Sequence, residues 1–557
     1  MRKEKNIILF IVLVLIIIVG IFAFIFIKNK NTDTEISVNL TDLTYNGGRD
    51  VKKYSQDEFD TFINDYSNDK LPSVYVTEFL FDGVFMYKPY DLDDFIDNGN
   101  DYGVDALEIT VLNVNTSGDV TFSGSIRGGM VAVNTNELDN DINIILNNVN
   151  IDTDSKKVPA IYVFNKDITY NKHKVTIKTL DGTKNHIEGG KLKKVSLIGS
   201  DNLSSYANNY SGDKSEAYQN YTNYYGVYSE NDINNILFAK VQADREDLLD
   251  GDPYYYYKAS GAISSDIDLY FEGSGYLEIT SKNKEGVESK GNLSFIGGVG
   301  DYVINSEDDC LNTTTDSSEV SGAHNTMVID VNSLTAMVSE DADEGDAIDS
   351  NGTLTINGGT IIAIAHPGQD AGLDSSDGTY INGGTIIATG DMYDEISNAS
   401  NQRFIGLSFS EGLSENTLIT LLDDNDVVIF SYLTDRNYTN LIYSSPKLVE
   451  GKYYLYKGGD GLFPDGTSRF FDKVSSYIKG VQLGYSSTGM QGGPNGLPMN
   501  DMPNQESHRG NMMDDNRFFE RYSTVPQIFN NEATSLNKEF AITQIQNLFS
   551  GIGECQD

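Results

Sequence analysis

The sequence predicts an all-β protein: a parallel β-helix with a small β cap or sandwich, preceded by one N-terminal transmembrane helix. Three observations lead to this fold class: a pentad that recurs about every 24 residues, paired glycines between short β-branched runs, and one long apolar run. The composition agrees, because 52 glycines, 11 prolines and 39% hydrophobic residues are typical of a folded, turn-rich β protein.

The transmembrane helix is predicted from residues 7–27, an apolar run of 21 residues. At about 1.5 Å per residue, such a helix crosses about 30 Å of hydrocarbon. Arg2, Lys3 and Lys5 precede the run, which favours an N-terminus inside the cell. Because no small-residue cleavage site follows, a single-pass signal anchor is favoured over a cleaved signal peptide. The expected location is the cell membrane, with residues 1–6 as a cytoplasmic stub and the body outside the cell.

The β-helix is predicted from five pentads that share an aliphatic third residue, at 261–265, 285–289, 309–313, 346–350 and 371–375. The aliphatic residue recurs at positions 263, 287, 311, 348 and 373, so the spacings are 24, 24, 37 and 25 residues. A repeat of this length holds three short strands and three turns. Stacked repeats lie about 4.8 Å apart, so each strand pairs in parallel with its copies. A propeller fits less well, because its blades need about 40 residues and contain antiparallel strands.

The remaining boundaries follow from changes in composition. The predicted β-helix covers 104–400 and is interrupted by a tyrosine-rich insertion at 190–258. The polar residues 28–103 are predicted to form a stalk and an N-terminal cap. Alternating apolar residues predict an antiparallel β cap at 401–460. Residues 461–557 are predicted to be a C-terminal extension that is partly disordered, because it contains a low-complexity stretch rich in methionine, glycine and asparagine.

The order of several segments is similar to that of one known family. These segments are 121–126, 131–133, 144–151, 160–163, 176–188, the Ile-Asn-Gly-Gly-Thr repeats at 356–360 and 381–385, and 429–432 with 444–446. Over roughly 106–460 they resemble a family of bacterial surface carbohydrate-binding proteins. The resemblance implies a right-handed, pectate-lyase-like β-helix that binds calcium and plant-type polysaccharides, including cellulose and acidic galacturonans. Lyase activity is not an established property of that family, and the tyrosine-rich insertion and the C-terminal extension have no counterpart in it.

The charge is large and unevenly distributed. The chain has 82 acidic and 40 basic residues, and the net charge of −42 excludes unaided binding to nucleic acid. Between Gly291 and Gln402 there are 19 acidic residues and no lysine or arginine. The residue after each aliphatic pentad position is predicted to point outward, and stacked copies form a column in which neighbouring carboxylates repel each other. The column consists of Ser264, Glu288, Asn312, Asp349 and Asp374.

Hard oxygen ligands at this density suit Ca²⁺, which takes 6–8 oxygens, and no cysteine–histidine set is available for zinc. The resemblance supports the same ion. The candidate calcium ligands are Glu288, Asp309, Asp346, Asp349, Asp370 and Asp374. The alternative is a solvated acidic face at turn positions, where aspartate and asparagine are favoured for local reasons.

Calcium also connects an acidic protein with an acidic polysaccharide, because a cation with open coordination positions bridges to uronate carboxylates. A neutral glucan instead needs aromatic platforms. The chain has no tryptophan, so the candidate sugar-contacting residues are Tyr254, Tyr255, Tyr256 and Tyr257 in the insertion, unless these rings pack the insertion onto the helix. The expected function is non-catalytic binding of acidic or plant-type polysaccharide at the cell surface.

Three alternatives remain open. A calcium-dependent pectate lyase needs a basic residue near the metal, and Lys290 is the candidate, although a turn lysine paired with Glu288 explains it as well. A pectin-type hydrolase could use the acids at 307–309, but the Gly-His-Gly and Arg-Ile-Lys segments of that family are missing. A structural surface protein or adhesin fits the anchor and the tail equally well.

Overall fold

A computed structural model describes residues 35–55, 58–59, 71–77, 109–135, 140–154, 158–165, 172–190, 261–314, 325–394, 396–397, 399–433, 436–461, 470–471, 474, 476–486, 527–530 and 540–542. The predicted anchor at 7–27 and nearly all of the predicted insertion at 190–258 lie outside these residues, as do the four candidate tyrosines.

The first eighteen strands are β1 (Ile36–Asn39), β2 (Thr44–Tyr45), β3 (Arg49–Asp50), β4 (Lys52–Tyr54), β5 (Val74–Thr77), β6 (Thr110–Val114), β7 (Gly118–Arg127), β8 (Gly129–Asn134), β9 (Ile142–Asp152), β10 (Ile161–Phe164), β11 (Val175–Thr179), β12 (Lys184–Gly189), β13 (Ile263–Ser265), β14 (Leu269–Gly273), β15 (Tyr276–Ser281), β16 (Val287–Ser289), β17 (Leu293–Phe295) and β18 (Asp301–Ser306). The others are β19 (Leu311–Thr313), β20 (Met327–Val338), β21 (Ile348–Ser350), β22 (Leu354–Ile364), β23 (Asp374–Ser375), β24 (Thr379–Ile381), β25 (Thr385–Gly390), β26 (Phe404–Leu413), β27 (Leu418–Asp423), β28 (Val428–Leu433), β29 (Tyr438–Ser444), β30 (Gly451–Gly461), β31 (Phe470–Phe471), β32 (Tyr477–Gln482), β33 (Gly484–Ser486), β34 (Gln527–Asn530) and β35 (Phe540–Ile542).

The pentads lie in a 10-stranded sheet with the order β23-β21-β19-β16-β13-β10-β8-β6-β5-β4. The pairs from β8 to β23 are parallel, and Cα pairing places Ile263 beside Val287, Val287 beside Leu311, and Leu311 beside Ile348. These aliphatic side chains are 0% exposed, and each contributes about 1.5–3 kcal/mol by leaving water. The aliphatic spacing thus sets the register, because a slip by one residue would turn the apolar side chains away from the core.

The second sheet has 19 strands among the described residues and closes the other side of the core. Parallel ladders such as β14–β17–β20 and β15–β18–β20 form its main part. Aromatic side chains stack between repeats inside this core: the ring centroids of Phe271 and Phe295 are 4.4 Å apart, and Tyr302 meets both rings edge-on.

The all-β content agrees with the sequence, but the predicted regular β-helix is wrong. Among the residues that the structure describes, which do not include the predicted anchor at 7–27, no helix is long and apolar enough to cross a membrane. The strands do not build the regular right-handed β-helix of three short strands and three turns. Beside the 10-stranded sheet, the strands of the other two predicted faces merge into the one 19-stranded sheet, in which antiparallel strands flank the parallel ladders.

The reason for this error is visible at the paired glycines. A repeat of three strands and three turns would have a turn at Asn357-Gly358-Gly359, but these residues lie inside β22, an 11-residue strand, and its partner β20 runs through the same region with 12 residues. Gly359 has a φ of 107°, and the register between the two strands shifts at Asp330. A bulge therefore bends a continuous strand where two separate strands were expected, and two predicted faces become one sheet.

Antiparallel strands follow the parallel repeats. Strand β29 pairs with both β25 and β26. A 6-stranded sheet has the order β31-β28-β27-β30-β32, with β35 also paired to β30, and it packs against a second apolar cluster that includes Phe430 and Tyr443. The buried Arg436 donates from Nη1 to the carbonyl oxygens of Val338 and Ala365, at 2.5 and 3.3 Å. These bonds attach the antiparallel region to the last parallel repeats.

Candidate functional site

Each pentad contributes one side chain to a column on the face of the 10-stranded sheet that points away from the aliphatic core. In order along the sheet, this central column consists of Ser264, Glu288, Asn312, Asp349 and Asp374. Glu288 is only 1% exposed and Asn312 only 7%, whereas Asp349 and Asp374 are half-buried. The middle of the column is therefore not a solvated acidic face.

Three carboxylates meet at one end of the central column. One oxygen from each of Asp346, Asp349 and Asp374 lies within 4.8 Å of the other two, and we call this group the acid triad. Asp349 and Asp374 are direct neighbours in the sheet, and Asp346 begins the pentad that contains Asp349. Oxygens bound to opposite sides of one Ca²⁺ are up to about 5 Å apart, so the triad has the right spacing for such an ion.

The backbone fixes the carboxylates of the triad. Asp346 Oδ1 accepts a hydrogen bond from the Ala371 N–H at 2.5 Å, and Asp374 Oδ1 accepts one from the Ser375 N–H at 2.8 Å. Gly345 precedes Asp346 with a φ of 147°, and a Cβ there would lie 2.7 Å from the Asp308 carbonyl carbon. Glycine is thus needed for the close approach of the two repeats that orients Asp346.

Electrostatic crowding is strong around the triad. Burial raises the pKa of the Asp346 carboxyl well above its ordinary value, and the charges of Asp374 and Asp349 raise it further. Burial likewise raises the pKa of Asp309, and the charges of Asp308, Asp349, Asp346 and Glu285 raise it further. Such shifts are expected where several carboxylates share a desolvated site without a positive charge.

Asp309 occupies the repeat before the triad and connects to it through the backbone. Its Oδ1 accepts a hydrogen bond from the Asp346 N–H at 2.8 Å, and its Oδ2 accepts one from Asn312 Nδ2 at 2.6 Å. Among the residues that the structure describes, the buried oxygens Glu288 Oε1 and Asn312 Oδ1 have no hydrogen-bond partner. A buried acceptor without a donor is costly, and such oxygens are typical of sites that bind a cation or water.

Asp370 lies beside the triad but is not part of it. Its Oδ2 lies 3.3 Å from His366 Nδ1, and it also interacts with the Gly345 N–H. Burial raises the pKa of Asp370, while these two contacts lower it. The structure thus brings together three of the six candidate ligands, holds Asp309 against them by one hydrogen bond, and separates Glu288 and Asp370 from them.

The structure adds two oxygen-bearing residues to the candidate ligands. Asn312 belongs to the column but was not predicted as a ligand. Asp394 Oδ2 accepts hydrogen bonds at 3.1 Å from both the N–H and the Oγ of Ser375, which brings it next to Asp374. Asp394 follows Asp374 by 20 residues, so it has no place in the repeat, and its only signal in the sequence was membership of the lysine-free acidic segment.

Lys290, the candidate base for a lyase reaction, binds a carboxylate other than that of Glu288. Its Nζ donates to Asp266 Oδ1 at 2.6 Å, and the Asp266 side chain is only 3% exposed. Asp266 Oδ2 also accepts a hydrogen bond from Tyr162 Oη at 2.7 Å. A lysine held by a buried carboxylate is stabilised as ammonium, which opposes a role as proton acceptor.

Comparison with known proteins gives one family. The family model described as "Carbohydrate-binding domain-containing protein" matches residues 108–209 and 228–419, together more than half of the chain. The second matched range contains the central column, the acid triad, Asp394 and Lys290. No curated protein and no solved structure matches the chain.

Proposed function

Because the chain belongs to the family of carbohydrate-binding domain-containing proteins, we propose that it binds acidic polysaccharide through Ca²⁺ held by the acid triad. The observation that carries this proposal is the triad itself. Three carboxylates approach within 4.8 Å of each other in a stretch of 112 residues that contains no lysine or arginine. Their charges need a counterion from outside that stretch.

The donor set suits Ca²⁺ better than other common metal ions. Asp346, Asp349 and Asp374 supply only hard oxygens, and no histidine or cysteine belongs to the group. Asp394 lies next to Asp374 and offers a further carboxylate. Ca²⁺ accepts 6–8 oxygens in flexible geometry, so three or four carboxylates leave positions for water or a ligand.

These open positions give the proposed link to carbohydrate. A cation bound by protein carboxylates attracts the carboxylate of a uronate, although the protein alone would repel it. The half-buried Asp349 and Asp374 are more accessible than Glu288, so this end of the central column is where a saccharide can approach the ion. The proposed function is therefore binding without cleavage, in which the ion supplies the charge that the chain lacks.

The proposal is tested by titrating metal-stripped protein with Ca²⁺ in a calorimeter and by thermal unfolding with and without the ion. At 100 times Kd, binding to the native state alone stabilises it by about 2.7 kcal/mol. Asp349→Asn and Asp374→Asn should remove most of the heat and of the thermal shift. The matched control is Asp424→Asn, which changes an exposed aspartate on the turn between β27 and β28 and should behave as wild type.

Affinity electrophoresis in gels that contain a galacturonan then tests the partner. Calcium should retard the wild-type protein, a chelator should abolish the retardation, and Asp349→Asn should migrate as the wild type does with chelator. Absence of both heat and thermal shift in the stripped wild-type protein would refute the calcium site. Calcium binding without retardation would refute the acidic ligand, and release of unsaturated product would replace binding with lyase activity.

A further inference from the structure

Six asparagines of the chain are followed directly by glycine, the neighbour beside which an asparagine loses its side-chain amide most readily. Glycine has no side chain to shield its backbone nitrogen, so that nitrogen can reach the amide carbon of the preceding residue. The six are Asn46, Asn98, Asn351, Asn357, Asn382 and Asn495. Four of them, all but Asn98 and Asn495, belong to the described residues. Their surroundings decide which of the four can react.

Asn46 lies at the tip of the hairpin that β2 and β3 form. Tyr45 pairs with Arg49, so Asn46, Gly47 and Gly48 make the loop between the two strands. Both glycines are exposed, and a Cβ added to either would have nothing within 4 Å. Within the part of the chain that the structure describes, no hydrogen bond engages the Gly47 N–H or Asn46 Nδ2. The attacking nitrogen and the leaving group are therefore both open to water.

The oxygen of the Asn46 amide is held by a hydrogen bond that favours attack on the amide carbon. Asn46 Oδ1 accepts a hydrogen bond from the Ser37 N–H at 2.7 Å, and the Asn46 N–H donates to the Ser37 carbonyl oxygen at 2.8 Å. A donor at Oδ1 stabilises the negative charge that develops there when the Gly47 nitrogen adds to the carbon. Asn46 thus combines a polarised amide with an unshielded nucleophile on the next residue.

The other three described asparagine–glycine pairs lie in the parallel repeats, where the same atoms are engaged. Asn382 Nδ2 donates to Asn357 Oδ1 at 3.0 Å and Asn382 Oδ1 accepts from Asn401 Nδ2 at 2.7 Å, so this amide is held at both ends. Asn357 lies inside β22, where the extended backbone directs the next nitrogen along the strand and away from the side chain. After Asn351, the Gly352 N–H donates to Ser350 Oγ at 3.4 Å. These three pairs are expected to be protected.

We propose that Asn46 is a site of spontaneous deamidation in the folded protein. The Gly47 nitrogen forms a bond to the Asn46 amide carbon, the bond from that carbon to Nδ2 breaks, and ammonia leaves with the proton of the Gly47 N–H. The resulting succinimide takes up one water molecule at either of its two carbonyl groups. Opening at one carbonyl gives aspartate. Opening at the other gives isoaspartate, in which the side-chain carbons have become part of the main chain.

The modification changes the hairpin at the point where it joins the first parallel ladder. Strand β1 pairs with β2 on one side and with β7 on the other, so the two hydrogen bonds between Asn46 and Ser37 attach the hairpin to the 19-stranded sheet. Aspartate keeps an acceptor for the Ser37 N–H and adds one negative charge. Isoaspartate lengthens the main chain of the loop and is expected to disturb the pairing of Tyr45 with Arg49. The acid triad, in the last repeats, is left unchanged, so this inference is independent of the proposed function.

The test is peptide mapping by mass spectrometry of the full-length protein after incubation for several weeks. Asn46 should lose its amide at least about tenfold faster than Asn351, Asn357 and Asn382 in the same sample. The rate at Asn46 should rise with pH, because the attacking nitrogen must lose its proton. In denaturant the four rates should converge to within about threefold, since all four residues precede glycine. A rate at Asn46 in the folded protein no higher than at the other three would overturn the site, and this comparison needs no variant.

Two glycine variants then identify the nucleophile. Gly47→Ala shields the attacking nitrogen and should slow the loss of the Asn46 amide at least about tenfold. Gly48→Ala is the matched control, because both glycines have a φ of 84° and open surroundings, and its rate should stay within about threefold of wild type. Equal slowing in both variants, or none in Gly47→Ala, would overturn the role of the Gly47 nitrogen. Circular dichroism reports whether each variant is folded.

Discussion

The repeats before and after Gly291 balance their acidic residues in different ways. Before it, lysines of the chain bind the acids: Lys178 contacts Glu272, Lys282 contacts Glu188, and Lys290 contacts Asp266. After it, the stretch to Gln402 has 19 acids and no lysine or arginine. The same parallel ladders carry both regions, so the fold tolerates either arrangement. The chain's own cations reach the second region only at its margins in the described residues, where Lys284 contacts Asp308 and Arg436 lies 3.9 Å from Glu340. Under the proposed function, the acid triad of the second region therefore takes its counterion from solution.

The largest effect is expected from removing the internal cation of the first region. Lys290→Met leaves the Asp266 carboxylate, 3% exposed, without its ammonium partner. Breaking a buried pair in this way costs about 3–5 kcal/mol, because one charge stays buried and uncompensated. The free energy of unfolding in urea should fall by this amount in the absence of calcium.

Lys290→Arg is the control, since it keeps the charge and should lose much less stability than Lys290→Met. If Lys290→Met cost less than about 1 kcal/mol, the buried pair would not be what holds these repeats together, and the distinction between the two regions would weaken.

The second region should respond to pH in the opposite way to most acidic sites. The pKa values of Asp309 and Asp346 are raised by burial and by neighbouring carboxylates, so the folded state holds their protons more tightly than the unfolded state. Stability is then lost as pH rises from the ordinary aspartate pKa, about 3.9, towards the raised values. Metal-stripped protein should therefore unfold at a higher temperature at pH 5 than at pH 7.

Calcium should reverse this dependence, because protons compete with the ion for the same oxygens. Asp309→Asn is the control: the stabilisation from pH 7 to pH 5 in metal-stripped protein should be smaller than in wild type. Equal stability of wild type at the two pH values without calcium would contradict the raised pKa values of the acidic repeats.

Much of the site could be predicted from sequence, because the aliphatic residues at 263, 287, 311 and 348 set the register and with it the order of the central column. The pattern could not predict which way a turn side chain points. Asp370 belongs to the same acidic run as the triad, yet it faces His366. Asp394 reaches Asp374 from outside the repeat. The bulge at Gly359 also left no trace in the pattern, since a turn and a bulge use the same residues.

The smallest effect is expected from an exposed ion pair in the first region. Comparing it with the Lys290–Asp266 pair shows whether a lysine stabilises this region because its partner is buried or only because it carries positive charge. The side chains of Lys178 and Glu272 are 34% and 37% exposed, and the closest oxygen lies 3.3 Å from Nζ. Surface pairs of this kind contribute about 0.2–1 kcal/mol, because water screens them and two long side chains must be ordered. Lys178→Gln should thus lower the free energy of unfolding by no more than about 1 kcal/mol, and 1 M salt should remove most of the difference. A loss as large as that of Lys290→Met would mean that any lysine stabilises the first region through the net charge of the chain. A small, salt-sensitive loss would mean that the first region depends on Lys290 at the buried Asp266, as the second is proposed to depend on calcium.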